Sequence, residues 1–136
     1  MPALVVDASV LVVALGDDEG RGAEVRRRLQ GTTLHAPALI DLEVTSALRG
    51  LATGQALTAS RATAALRDLA DLPVHRAPHL PLLSRCWELR DNLTTYDAAY
   101  VALAELLDLP LLTADARIAR ASGPRCRIEV VQTGGS

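Results

Sequence analysis

Five short apolar runs recur along this chain, at residues 3–6, 33–36, 74–77, 111–113 and 127–131, and each is separated from the next by longer segments with helical signals. Runs this short and rich in Val, Leu and Ile are strands, and strands alternating with helices build a mainly parallel sheet with helices packed on its faces. The breakers agree with that division. Gly31 ends a helix over 19–30, Pro37 opens one over 38–53, Gly54 stops it, and Thr58 caps another that runs to residue 71. Helices are also expected over 8–15, 80–90 and 116–121, with one capped by Thr94 or Thr95 and running to residue 107. The fold class is therefore α/β, one domain over residues 1–132 with a flexible tail at 133–136. A chain of 136 residues is long enough to bury a real core.

Composition removes several function classes. No apolar run approaches the roughly 18 residues of a membrane span, and the N-terminus lacks the basic and cleavage-site pattern of a secretory leader. A cytoplasmic protein without membrane partners is expected. Cys86 and Cys126 show no metal-binding or redox spacing. All 14 basic residues are Arg, so chemistry built on a lysine, including phosphate-loop binding and Schiff bases, is excluded. Aromatic residues make up 2% of the chain, too few for single-strand recognition by stacking. A nucleic acid would be held through its phosphates and its shape.

Four acids stand out because each sits among apolar neighbours: Asp7 in LVVDASV, Glu43 in PALIDLEV, Asp97 in TTYDAAYVALAE and Asp115 in PLLTADARIA. An acid in such surroundings costs several kcal/mol unless something compensates it. Asp7 and Asp115 directly follow strands, so they lie at the strands' C-terminal edge. Glu43 begins a helix that leaves a strand at that edge. Asp97 begins a helix that feeds the next strand, so its first turn lies there too. Open parallel sheets bind ligands at this edge. Taken singly, Asp7 or Asp115 could be a helix cap and Asp97 a satisfied first-turn acid. Converging together, the four call for a bound cation.

Clustered carboxylates select hard cations such as Mg²⁺ or Mn²⁺, whereas zinc would want the His or Cys ligands that none of these acids has beside it. Such a cation suits phosphoryl chemistry. Ser9 and Thr113 lie within two residues of site acids and can support them or a phosphate oxygen through hydrogen bonds, or simply cap locally. Arg117, two residues after Asp115, is a candidate phosphate contact. His35, His75 and His79 are expected to be core or surface residues. The segments 38–53 and 58–71 are expected to pair as a hairpin with an apolar groove between them.

With these segments in place, the chain resembles the PIN-domain nucleases and, within them, the VapC-like toxins of bacterial toxin–antitoxin pairs. The resemblance rests on LVVDASVLV, PALIDLEVTSALR, LTTYDAAYVALAELL and PLLTADARIARA, which with their spacing span nearly the whole chain. It implies a three-layer α/β/α sandwich and an endoribonuclease dependent on Mg²⁺ or Mn²⁺. The family's acids fall on Asp7, Glu43, Asp97 and Asp115, with Ser9 and Thr113 in supporting positions. It further implies an RNA substrate, a homodimer, and a small cognate antitoxin whose Arg reaches the acids. Asp108 stands where relatives often carry Gly, which touches a helix end and not the chemistry. Two alternatives remain: an RNA-processing or repair nuclease of the same fold without an antitoxin, and a non-catalytic binding scaffold.

Overall fold

The computed structural model describes residues 2–131; the expected tail at 133–136 lies outside them. In chain order the elements are β1 (Ala3–Val6), α1 (Ala8–Gly16), α2 (Gly20–Leu29), β2 (Thr33–Pro37), α3 (Ile40–Thr53), α4 (Ala59–Asp71) and β3 (Val74–Ala77). A 3₁₀ turn (Leu80–Leu82) leads into α5 (Leu83–Glu88), followed by α6 (Thr95–Leu107), β4 (Leu111–Thr113), α7 (Ala116–Arg120) and β5 (Ile128–Val130).

The described strands form one sheet in the order β3-β2-β1-β4-β5, and every pairing is parallel. This arrangement follows from the connections. The chain steps outward from β1 through β2 to β3, then crosses back past β1 to β4. Right-handed crossovers that step in opposite directions place their helices on opposite faces of the sheet. Accordingly α1 packs with α2, α3 and α4, while α6 packs with α5, β1, β2 and β4. The reversal between β1 and β4 is the switch point of the topology, where a crevice opens beyond the strand ends.

The core explains why α6 reads as almost wholly apolar. Ala98 through Ala104 are all buried, so this helix is wrapped by the sheet and its neighbours on most of its circumference. Small residues make that possible, since four alanines let the backbone lie close against the strands. Val5, Val6, Leu111 and Leu112 form the centre of the sheet beside it, each nearly inaccessible because helices cover both faces. Losing one of the buried leucines to Ala costs about 2–5 kcal/mol.

Element ends differ from the sequence expectations in instructive ways. Pro37 closes β2, because its carbonyl can still join the ladder to β3, and α3 begins three residues later at Ile40. The entry to α3 is fixed from outside the helix: the Leu39 amide donates to Nε2 of His79 at 2.9 Å. The segment 80–90 splits into the 3₁₀ turn and α5, which stops at Glu88. Thr58 and Thr94 cap α4 and α6 with their hydroxyls, as expected. Asp108 adopts the left-handed conformation at the end of α6, φ 55°, tolerated by Asp where Gly would relax. Gly22 is required by contact, because an added Cβ would lie 1.8 Å from the Asp17 carbonyl oxygen.

The helices α3 and α4 do pack together, but their seam is core and not an open groove. Leu48, Ala62, Ala65 and Leu69 are all buried. The open depression lies to one side, along α1 and the end of α3. It holds about 620 Å³ and is lined by Val12, Val13, Leu51 and Leu57 with Asp17 and Glu19 at its rim.

Candidate active site

Asp7 is the residue immediately after β1, at the switch point, and is only 6% exposed. It occupies the cap position of α1 yet makes no capping bond with its side chain. Its Oδ2 instead accepts two hydroxyl hydrogen bonds, from Ser9 at 2.6 Å and from Thr113 at 2.8 Å. The cap explanation for this acid therefore fails. Thr113 is fully buried at the end of β4, and its oxygen also receives the Asp115 amide at 3.0 Å. The Ser9 oxygen receives the Ala114 amide at 3.0 Å. Two neutral hydroxyls, each anchored by a backbone amide, thus fix one oxygen of Asp7 without cancelling its charge.

Glu43 lies in the first turn of α3 and is partly buried. Its Oε1 accepts the phenol hydrogen of Tyr100 at 2.6 Å. Burial pushes the Glu43 carboxyl above its ordinary pKa, and the charges of Asp7 and Asp97 push it further, against the opposing Tyr100 hydrogen bond. Asp97, in the first turn of α6, is raised by burial and by the charges of Asp7 and Asp115, with Thr94 and Arg117 opposing. Glu43 and Asp97 thus each lie in the field of Asp7 and of another acid at this edge.

Asp115 is the exception. It follows β4 and caps α7, its Oδ1 accepting the Arg117 amide at 2.9 Å. The Arg117 guanidinium folds back onto both its oxygens, at 3.0 and 2.8 Å. That pairing holds the Asp115 carboxyl below its usual range. The Arg117 side chain is 81% exposed, so it rests on the acid and is not built into the wall. Among the described residues, the ion pairs leave out Asp7, Glu43 and Asp97.

The donor set fits a hard cation: oxygen ligands, several negative charges, and no His or Cys beside them. Among the described residues, no three His, Cys, Asp or Glu side chains converge closely enough to cage an ion alone. Small divalent cations that keep several waters are held in such open carboxylate sites.

The PIN domain family matches residues 4–124 of this chain. The chain belongs to the PIN-domain family. Ribonuclease VapC1 of Mycobacterium tuberculosis is 43% identical over 133 residues, covering 97% of this chain and all of that protein. Ribonuclease VapC3 of the same species is 47% identical over 118 residues, covering 87% of this chain and 86% of that one. Among solved structures, VapBC2 from Rickettsia felis superposes with a TM-score of 0.68 at 12% identity, over 94% of this chain and 98% of that one. At that identity the likeness shows the fold alone.

Within this PIN domain the structure assembles the expected residues at one edge, and it adds others. Tyr100 was visible in the sequence only as a neighbour of Asp97 on a core-facing stripe. Its bond to Glu43, 57 positions away in the chain, joins helices from opposite faces of the sheet and is seen only in the folded chain. His79, expected to be a core or surface histidine, accepts the Leu39 amide and so fixes the turn that leads into the helix of Glu43. His35 and His75 stack across β2 and β3, rings 4.9 Å apart, well outside the acid site.

Proposed function

We propose that this PIN domain is a metal-dependent endoribonuclease acting as the toxin of a toxin–antitoxin pair in the cytoplasm. The observation that carries the reading is a set of carboxylates at the switch point, Asp7, Glu43 and Asp97, the first two held by hydroxyl groups and none of the three in an ion pair among the described residues. An acid that only stabilises a fold is neutralised, and these are not. The ribonuclease names of the similar VapC proteins support the same activity for this chain.

Asp7, Asp97 and Asp115 would hold Mg²⁺ or Mn²⁺, with Glu43 completing the set directly or through a water. Such a cation, when bound, supplies an acidified water and neutralises charge on the phosphate. The protein's own part is orientation. Ser9 and Thr113 hold Oδ2 of Asp7, so its other oxygen keeps a fixed direction. Arg117 is an exposed guanidinium resting on one of the acids, suited to take a phosphate once it leaves Asp115. Hydrolysis by water leaves a 5′-phosphate and a 3′-hydroxyl.

We assign as partners an RNA substrate, a small cognate antitoxin and a second copy of the chain. The depression beside α1, where Val12, Val13, Leu51 and Leu57 are flanked by Asp17, Asp18, Glu19 and Arg21, suits an antitoxin helix followed by a basic tail. Among the described residues, no helix is long and apolar enough to cross a membrane.

The deciding experiment incubates purified protein with total RNA in Mg²⁺ or Mn²⁺ and with EDTA, then maps the ends. Cleavage that needs the metal and leaves 5′-phosphates is expected. Intact RNA at every Mn²⁺ concentration would overturn the enzymatic reading. Co-expression with the product of a small adjacent gene, followed by size-exclusion chromatography, tests the antitoxin and the dimer together.

A further inference from the structure

The hydroxyl groups that hold Asp7 have a counterpart elsewhere in the site. Tyr100 sits in the middle of α6, one turn beyond Asp97 on the same helical face, and is fully buried. Its phenol crosses to α3 and donates to Oε1 of Glu43 at 2.6 Å, the short distance of a hydrogen bond to a charged acceptor. One side chain therefore ties the first turn of α3 to the first half of α6, the elements that carry Glu43 and Asp97.

We propose that Tyr100 is the positioning residue of this site, fixing Glu43 so that a single carboxylate oxygen faces Asp7 and Asp97. This rests on the metal-dependent nuclease reading above. The choice of a phenol has a physical reason. An Arg in that place would hold Glu43 equally well but would bring a positive charge that competes with the cation. A neutral O–H donor orients the carboxylate and leaves its charge for the ligand. A buried phenol needs an acceptor in any fold, and here the acceptor is a carboxylate of the candidate site.

Tyr100→Phe keeps the ring and removes only the hydroxyl. By calorimetry, its Mn²⁺ dissociation constant is expected to rise about tenfold, the lower end of what loss of a supporting group costs a metal site. The kcat for RNA falls by a similar factor while KM is unchanged, and the circular dichroism spectrum is retained. In a Glu43→Gln background the same substitution adds no further loss, because there is no carboxylate left to orient. Wild-type Mn²⁺ affinity and kcat in Tyr100→Phe would overturn the proposal, as would equal, additive losses in the Glu43→Gln background. Should Tyr100→Phe fail to fold, carbon NMR of the tyrosine rings decides the matter, since the chain has only two tyrosines. Mg²⁺ is then expected to move the Tyr100 signal in the wild type and not in Glu43→Ala, and an unmoved wild-type signal rejects the role. A wild type that neither binds Mn²⁺ nor cleaves RNA fails on the broader reading, a result distinct from any of these.

Discussion

The two ends of α6 carry two acids in opposite circumstances. Asp97 opens the helix and Glu105 lies two turns later, and both are partly buried. Glu105 is fully answered: Arg85 meets both its oxygens, at 2.7 and 3.2 Å, and the Arg125 amide donates to it at 2.7 Å. Burial pushes its carboxyl up, but these donors outweigh burial and hold it below the ordinary range. Asp97 meets mainly other acids, and burial with their charges holds it above that range. One helix thus shows what this protein does with an acid it uses for structure and what it does with one kept for a ligand. The difference is a partner: an arginine grips both Glu105 oxygens, whereas Asp97 forms no ion pair among the described residues.

The contrast breaks most sharply at Asp7. Asp7→Asn keeps the hydrogen bonds possible while removing the charge. RNA cleavage is expected to fall more than about a hundredfold, beyond the usual cost of losing a supporting group. Stability in EDTA is expected to hold or rise, since one member of a repelling cluster is gone. Cleavage assays beside thermal melts check both, and full activity at ordinary Mg²⁺ would remove Asp7 from the chemistry.

Adding the missing counter-charge is the next largest effect. A ligand that binds only the native state stabilises it by about 2.7 kcal/mol at a hundred times its dissociation constant, a rise of several degrees in melting temperature. Mn²⁺ is expected to give that rise in the wild type and little of it in Asp97→Asn. Identical melting curves from EDTA to millimolar Mn²⁺ would mean that the acids at this edge bind no cation.

At the other end of α6 the acid should behave as a structural one. Arg85→Ala is expected to cost about 2 kcal/mol, because it strips a carboxylate whose side chain is 15% exposed of its charged donors. The pH dependence has a definite sign. A carboxyl lowered in the folded state contributes stability above its unfolded value, about 4.3, and that contribution is lost as pH falls through the folded value. Glu105→Gln should therefore be less stable than wild type near pH 7, and the gap should close as the solution is acidified. Urea midpoints at a series of pH values give the answer, and a gap that persists at low pH would assign the loss to packing.

Much of this contrast was legible in the sequence, for a reason that also explains the rest. Strand ends fix where the following residue lies, so Asp7 and Asp115 could be placed at the sheet edge from the alternation of elements alone. Helix direction did the same for Glu43 and Asp97. Local signals also placed Thr58 and Thr94 as caps. What stayed hidden is contact across elements: Arg85 with Glu105, Tyr100 with Glu43, His79 with the Leu39 amide. These depend on side-chain direction between segments 20 to 57 residues apart, which periodicity does not encode. The apolar groove expected between α3 and α4 failed for a related reason. Small and apolar residues on two neighbouring helices mark a contact face, and here the contact is already filled by the protein itself.

The smallest effect is expected at the residue that blurs the contrast. Arg117 covers Asp115, so this one site acid looks structural, yet the guanidinium is 81% exposed and only two residues from its partner. An exposed pair of this kind is screened by solvent and contributes little, so Arg117→Ala should leave the urea midpoint almost unchanged. If the guanidinium leaves Asp115 for an RNA phosphate, the variant should lose a fewfold in RNA affinity. The slope of affinity against salt should also flatten by about one phosphate contact, uniformly across RNA sequences. Removing a competitor from Asp115 should at the same time tighten Mn²⁺ binding slightly. Weaker RNA binding with tighter metal binding would mark Arg117 as an arm serving the substrate. A loss of stability with RNA binding untouched would instead place Asp115 with Glu105 among the neutralised acids, leaving three carboxylates to make the site.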